Sequence, residues 1–194
     1  MNNMDYIVPI YYEGEFNGSG FIVGNRLITA AHVVVSKEKV CFFLYKDKRI
    51  SIGPENNMLY EYPITKSNQG QNNRYLDLAI YKTDIVSSLE LCKPNIDNTC
   101  TYQGYSDVTL QLDIYDNIKL DDKDWYYPLE EEKPIRINNT YIAIGGKTKG
   151  GNSGGPLFQG DYVVGMLVGN QQYQSFSMDR FIKSDYILKK LPKL

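Results

Sequence analysis

One heptapeptide says more about the fold than any other stretch of the chain: Gly151-Asn152-Ser153-Gly154-Gly155-Pro156-Leu157. Small or flexible residues surround a single serine, so the backbone can turn tightly, expose the hydroxyl and aim amide N–H groups at one point. Such a turn can bind an oxyanion. A glycine-serine linker is the alternative, but linkers are not followed at once by apolar, strand-like segments such as residues 163–168.

The chain has one histidine, His32, at the end of the segment Leu27-Ile28-Thr29-Ala30-Ala31-His32. A serine hydroxyl is a weak nucleophile at neutral pH, and imidazole is the side chain best suited to remove and return its proton. We therefore expect His32 to act as the general base for Ser153. A structural histidine at the end of a strand is the alternative.

A serine and a histidine that work together need a buried carboxylate to fix the imidazole tautomer. Asp77 lies in Leu76-Asp77-Leu78-Ala79-Ile80, with apolar residues on both sides. A buried acid in that setting requires a strong partner. Asp84 is the second candidate, in a more polar stretch, and an acid that caps a turn is the alternative for Asp77.

Short apolar or alternating segments recur along the chain between clusters of Gly, Asn, Asp and Pro, which predicts an all-β fold of antiparallel strands. The strictest alternation covers residues 108–115 and predicts a strand whose buried face carries Val108, Leu110, Leu112 and Ile114. Only the end of the chain has helical spacing, over about residues 180–191, and Pro192 stops it.

Together these segments resemble the chymotrypsin-like (trypsin-like) serine protease family. The match consists of Gly18-Ser19-Gly20-Phe21 followed by residues 27–32, then Asp77-Leu78-Ala79-Ile80, then residues 151–157. The order histidine, aspartate, serine is that family's order, whereas lipases with a similar Gly-x-Ser-x-Gly turn place the histidine last. Within the family, Gly-Asn-Ser-Gly is most similar to bacterial glutamyl endopeptidases and Deg-type proteases.

The resemblance implies two six-stranded antiparallel β-barrels and a C-terminal helix. It places His32 and Asp77 in an N-terminal barrel, residues 1–92, and Ser153 in a C-terminal barrel, residues 93–194. It also implies a serine endopeptidase that hydrolyses peptide bonds through an acyl-enzyme intermediate.

The resemblance also assigns catalytic roles. Ser153 would attack the scissile carbonyl, His32 would carry the proton, and Asp77 would orient the imidazole. The backbone N–H groups of Gly151 and Ser153 would form the oxyanion hole.

The family builds its primary specificity pocket from the residues before the nucleophile and from a strand after it. In this chain those places are taken by Lys147, Thr148, Lys149, Val168, Gly169 and Asn170. A cation in the pocket would favour Asp or Glu before the cut, so the lysines predict an acidic preference. Both lysines pointing to solvent is the alternative, and Leu167 stands where glutamyl endopeptidases have a histidine.

The composition is that of a globular protein: 194 residues, 42% hydrophobic, 23% charged and a net charge of -2. These values predict neither a nucleic-acid partner nor a membrane partner. The three cysteines lack metal-binding spacing and only one histidine could join them, so we expect no metal, and the chemistry requires no cofactor.

A protein or peptide substrate is the expected partner, and a regulatory protein partner is left open. The first residues show no basic segment followed by an apolar one, which predicts a cytoplasmic protein, or a secreted one already trimmed of its signal peptide. A catalytically silent fold used as a binding module is the rival hypothesis. The presence of all three triad residue types argues against it.

Overall fold

The computed structural model describes residues 3–34, 41–61, 76–122, 125–129, 132–137, 139–173 and 176–191. Strands in the first half are β1 (Ile7–Tyr12), β2 (Glu15–Ala30), β3 (Cys41–Tyr45), β4 (Lys48–Ile52), β5 (Asn57–Glu61) and β6 (Leu78–Ser87). They form one antiparallel sheet in the order β4-β3-β1-β2-β6-β5. The first half of β2 pairs with β1 and its second half with β6, so this long strand is the centre of the sheet.

Strands in the second half are β7 (Cys100–Tyr105), β8 (Leu112–Ile118), β9 (Trp125–Leu129), β10 (Glu132–Ile137), β11 (Thr140–Ile144), β12 (Pro156–Gln159), β13 (Tyr162–Tyr173) and β14 (Phe176–Lys183). Six of them form a second antiparallel sheet in the order β11-β14-β13-β12-β7-β8, while β9 and β10 form a separate hairpin. Helix α1 (Ser184–Lys190) follows β14. Two six-stranded, barrel-like sheets and a C-terminal helix confirm the predicted architecture.

The segment between the sheets already contacts the second one. Val163 donates its N–H to the carbonyl of Glu90 (2.9 Å), and its own carbonyl accepts the N–H of Cys92 (2.9 Å). Because residues 90 and 92 already bond to β13, these contacts do not mark a boundary between the two barrels. The predicted division of the chain after residue 92 stays a prediction. None of the helices in the described ranges has the length and apolar character needed to span a bilayer.

The apolar interior joins the two sheets. Residues of β13 and β14, among them Met166 and Ile182, pack in the same buried cluster as Phe21 and Ile28 of β2. A second cluster lies within the second sheet and contains Tyr102 and Phe181. The turn that carries Ser153 leads into β12, a strand of the second sheet, and the two sheets pack against one another.

The strand predicted for residues 108–115 is wrong in its first half. Val108 and Leu110 are 78% and 55% exposed, and β8 begins only at Leu112. Ile114 does lie in β8, but it is 50% exposed, so its predicted burial is also wrong. The Leu110 N–H donates to the Ser106 carbonyl (2.9 Å) and the Val108 N–H to the Ser106 hydroxyl (3.2 Å). These local bonds close a turn, so the alternating pattern does not correspond to a pleated strand there.

The C-terminal helix begins at Ser184, not near residue 180. Phe181 and Ile182 are fully buried because β14 runs between β11 and β13, with Phe181 opposite Tyr141 on one side and Leu167 on the other. Adjacent apolar residues fit either a helix or a strand buried on both faces. Cross-strand pairing decides for the strand here.

Candidate active site

His32 and Asp77 meet because their strands pair. β2 ends at Ala30, which lies opposite Leu78, the first residue of β6. His32 follows in a short 3-10 turn, Ala31–Val33, and Asp77 directly precedes β6. The Ala31 N–H donates to the Asp77 carbonyl (3.0 Å), which continues the ladder past the strand ends.

The Asp77 carboxylate contacts His32 through both oxygens. Oδ2 lies 2.5 Å from the imidazole Nδ1, and Oδ1 accepts the backbone N–H of His32 at 2.8 Å. The Asp77 side chain is 4% exposed and that of His32 41%, so the acid is shielded while one edge of the ring faces solvent. Asp77 has a φ of 68°, in the left-handed region that few non-glycine residues adopt. Its contacts with His32 offset that strain.

The backbone of Ser153 lies against β2. Its carbonyl accepts the N–H of Ser19 at 2.8 Å. A Cβ added to Gly18 would lie 3.1 Å from this carbonyl and 2.6 Å from the side chain of Val33, the neighbour of His32. Gly18 therefore leaves the space in which the serine turn and the histidine turn approach one another.

The Ser153 hydroxyl does not point to the imidazole. Oγ donates to the carbonyl oxygen of Val168, 3.0 Å away. Within the described part of the chain, no hydrogen bond joins Ser153 Oγ to the His32 ring. Two of the three predicted triad side chains are therefore in contact, and the hydroxyl of the third has a different partner.

The turn around Ser153 depends on two glycines in the left-handed region. Gly151 has a φ of 81° and Gly154 a φ of 88°. A Cβ at Gly151 would lie 2.5 Å from the ring of Phe16, and one at Gly154 would lie 2.5 Å from the Thr29 hydroxyl oxygen. Neither position has room for a side chain.

Neighbouring hydrogen bonds orient the two N–H groups predicted for the oxyanion hole. The Gly150 carbonyl accepts the N–H of Asp107 (3.1 Å), and the Asn152 carbonyl accepts the N–H of Gly155 (3.1 Å). In a planar trans peptide the N–H points away from the carbonyl. The N–H groups of the following residues, Gly151 and Ser153, therefore point away from these two carbonyl oxygens.

The side chain of Asn152 is fully buried and forms bonds at both ends of its amide. Its Oδ1 accepts the N–H of Lys149 (2.7 Å), and its Nδ2 donates to the carbonyls of Tyr105 (2.9 Å) and Gly104 (3.4 Å). The turn at residues 151–154 carries the predicted nucleophile and is the nucleophile turn of this site. An uncharged side chain thus ties this turn to β7.

Three of the six residues predicted for the specificity pocket donate hydrogen bonds to one carboxylate, that of Asp179. It accepts the backbone N–H of Lys147 (3.1 Å), the Thr148 hydroxyl (2.5 Å) and the Asn170 side-chain amide (2.9 Å). Asp179 is 3% exposed and borders a cavity of about 210 Å³. In the described residues, no cation pairs with it.

Two other predicted pocket residues, Val168 and Gly169, lie near Ser153. Val168 accepts the Ser153 hydroxyl, and a Cβ at Gly169 would lie 3.8 Å from Ser153 Oγ. The side chains of Lys147 and Lys149 are exposed. Val168 and Gly169 therefore lie beside Ser153, while Lys147, Thr148 and Asn170 are bonded to Asp179.

Sequence reasoning missed Asp179. Met178 precedes it, and the apolar pair Phe181 and Ile182 follows closely, so it carries part of the signal that identified Asp77. It also missed the contact of the Tyr102 hydroxyl with the Asn152 carbonyl. No sequence pattern announces that contact, because the two residues are 50 positions apart.

Comparison with known proteins gives one family and many similar folds. A family model described as trypsin matches residues 1–190. No curated protein sequence matches the chain. Among solved structures, the Rv3671c protease of M. tuberculosis in its inactive form is similar, with a TM-score of 0.69 and 17% identity over 97% of this chain and 88% of that one.

Two further structures have the same fold. Mouse neuropsin, a serine protease, has a TM-score of 0.66 and 15% identity over 97% of this chain and 95% of its own. A scabies mite inactivated protease paralogue has a TM-score of 0.65 and 19% identity, covering 97% and 96%. Because these identities are low and one neighbour is described as inactivated, the structural likeness establishes the fold alone.

Proposed function

The chain belongs to the trypsin family and is a serine endopeptidase, and from this premise we propose that it hydrolyses peptide bonds through Ser153, His32 and Asp77. The observation that carries the proposal is the double contact of the buried Asp77 carboxylate with His32. That contact fixes the only histidine of the chain in the tautomer that a general base requires.

The proton on the imidazole follows from its partner. A carboxylate accepts hydrogen bonds, so Nδ1, which lies 2.5 Å from Asp77 Oδ2, carries the proton and Nε2 is free to accept one. His32 takes the hydroxyl proton of Ser153 at Nε2, and Asp77 stabilises the imidazolium that results.

Ser153 becomes a nucleophile after its side chain turns. The hydroxyl leaves the Val168 carbonyl and donates to Nε2 of His32 instead. Exchanging one hydrogen bond for another changes the free energy by about 1 kcal/mol or less, which is small beside a chemical barrier. The resting orientation therefore permits catalysis.

Two bond exchanges complete the reaction. Ser153 Oγ bonds to the scissile carbonyl carbon, the C–N bond breaks, and His32 passes the serine proton to the leaving amine. Water then attacks the acyl-enzyme, its proton goes through His32 to Ser153, and the acid product leaves. During both steps the N–H groups of Gly151 and Ser153 bind the oxyanion.

The predicted preference for acidic residues before the cut stays a prediction. Lys147 and Lys149 supply positive charge, but their side chains are exposed. The buried Asp179 carboxylate lies among the pocket residues and would repel an acidic side chain. Asp179 thus weighs against the acidic preference that the two lysines predicted.

A fluorophosphonate probe tests the proposed triad, because it reacts quickly only with an activated serine. We expect labelling of the wild-type protein and loss of labelling in Ser153→Ala and His32→Ala. Ser51→Ala, a change at an exposed serine of β4, is the matched control and should label as wild type does. Labelling that survives in Ser153→Ala would exclude Ser153 as the nucleophile.

A further inference from the structure

Tyr102 brings a buried hydroxyl into contact with the nucleophile turn. It lies in the middle of β7, is fully buried, and packs against Tyr115 and Phe181 at ring-centre distances of 5.9 and 6.0 Å. A buried phenol requires a hydrogen-bond partner. The hydroxyl donates to the backbone carbonyl of Asn152.

The carbonyl that Tyr102 binds belongs to the peptide group whose N–H is that of Ser153. Only one other described group, the N–H of Gly155, donates to this carbonyl. If the peptide rotated, its oxygen would turn toward the position where the oxyanion forms and its N–H would turn away. The Tyr102 hydroxyl opposes that rotation.

The chain leaves a fitted space for this hydroxyl. A Cβ at either Gly104 or Gly155 would overlap the Tyr102 oxygen. Burial, followed by the charges of nearby acidic groups such as Asp179, raises the pKa of Tyr102 well above its ordinary value. The phenol therefore remains protonated and able to donate over the range in which a protease works.

We propose that Tyr102 is a positioning residue for catalysis: its hydroxyl holds the Asn152 carbonyl so that the Ser153 N–H stays directed at the developing oxyanion. The inference rests on the proposed function of Ser153. In this inference an uncharged hydrogen bond from Tyr102, in the space left by Gly104 and Gly155, orients an N–H group of the oxyanion hole.

Tyr102→Phe tests the inference because it removes one oxygen atom and keeps the aromatic packing. We expect kcat on a fluorogenic peptide to fall about 10- to 100-fold while KM stays within about twofold, since complete loss of an oxyanion-hole donor costs about 100- to 1000-fold. A peptidyl boronate, whose tetrahedral adduct occupies the hole, should lose affinity by a similar factor.

Tyr115→Phe is the matched control. Tyr115 stacks on Tyr102, and its hydroxyl donates to Asp113 (3.1 Å), away from the nucleophile turn. We expect wild-type kcat and wild-type boronate affinity from this variant. A merely structural role for Tyr102 would lower the melting temperature without separating kcat from KM.

Replacing Tyr102 by p-aminophenylalanine keeps a donor in the same place and should restore kcat. This variant also decides the matter if Tyr102→Phe fails to fold. Two results would overturn the inference while leaving Ser153 as the nucleophile. One is wild-type kcat in folded Tyr102→Phe. The other is a p-aminophenylalanine variant that folds but has a kcat about 10- to 100-fold below that of the wild type. A wild-type protein that resists a fluorophosphonate would overturn the proposed function and this inference together.

Discussion

Asp77 holds His32 at two atoms, with Oδ1 2.8 Å from the backbone nitrogen and Oδ2 2.5 Å from Nδ1 of the ring. The first contact fixes the turn that carries the histidine, and the second fixes the plane of the imidazole. Ser153, in contrast, rests on the Val168 carbonyl. The contact between the proposed acid and the proposed base is therefore already formed, whereas the hydroxyl proposed as the nucleophile has a different partner.

Asp77→Asn should lower kcat by about 10⁴-fold with little effect on folding, because an amide can stabilise the wrong imidazole tautomer. Kinetics on a peptide substrate measure the loss, and the single histidine gives one ring N–H signal by NMR, which should shift in the variant. Asp84→Asn, at an exposed acid of β6, is the control and should keep wild-type kcat. Equal losses in the two variants would remove Asp77 from the triad.

Gly151→Ala should lower kcat by at least about 100-fold, because the new Cβ would lie 2.5 Å from Phe16 and 2.6 Å from the Asp107 nitrogen and would displace an oxyanion-hole N–H. Gly160→Ala is matched in backbone conformation, with a φ of 60°, but has no atom within 4 Å of the added Cβ. It should lose some stability and keep kcat. Comparable kcat in both variants would contradict the role of the Gly151 N–H.

The proposed pocket has charges of both signs nearby, the buried carboxylate of Asp179 and the exposed lysines Lys147 and Lys149. Removing the buried negative charge with Asp179→Asn should raise kcat/KM for Glu relative to Gln before the cut by about tenfold. Lys147→Gln and Lys149→Gln test the predicted cations and should each lower the same ratio, with Lys189→Gln, at an exposed lysine of α1, as their control. An unchanged ratio in Asp179→Asn would place this carboxylate outside the pocket.

The C-terminal helix is tied to the first sheet through Glu61, which is 6% exposed and contacts Lys190 Nζ (2.6 Å) and the Tyr186 hydroxyl (3.0 Å). Lys190→Met should lower the free energy of unfolding by about 2 kcal/mol, the usual size for a hydrogen bond to a charged group. Lys189→Met removes an exposed ion pair in which Nζ lies 3.9 Å from a carboxylate oxygen of Asp185, and it should lower the free energy of unfolding by under about 0.5 kcal/mol. Denaturant titration distinguishes the two, and similar losses would contradict this account.

The same contact predicts a pH dependence. The hydrogen bond to Glu61 raises the pKa of Lys190 above its ordinary 10.5. When a base has a higher pKa in the folded state than in the unfolded state, its protonation stabilises the folded state. That stabilisation is complete at pH values below the pKa of the unfolded state, and it is lost as the pH rises through the pKa of the folded state. The difference in stability between wild type and Lys190→Met should hold at neutral pH and shrink above about pH 10.5. A difference that shrinks near pH 7 would point to another group.

Sequence reasoning reached the fold because strand patterns recur and because the glycines around Ser153 permit a tight turn that larger residues could not adopt. It located His32 and Asp77 through residue type and apolar neighbours, and the register of β2 against β6 brings their side chains together. It failed at Val108 and Leu110, where local bonds to Ser106 outweigh the alternation.

The remaining features depend on distant contacts that no local pattern encodes. Asp179 is placed beside Asn170 by the register of β13 and β14, and Tyr102 reaches Asn152 across β7 and the nucleophile turn. The orientation of the Ser153 hydroxyl depends on competition between two acceptors, which a sequence does not record. Such contacts require the folded chain.

The central claim is that Ser153 is the nucleophile of a serine endopeptidase, and turnover of a fluorogenic peptide by Ser153→Ala tests it most directly. We expect kcat to fall by about 10⁶-fold in a protein that keeps the wild-type melting temperature. Hydrolysis near the wild-type rate in that folded variant would contradict the account.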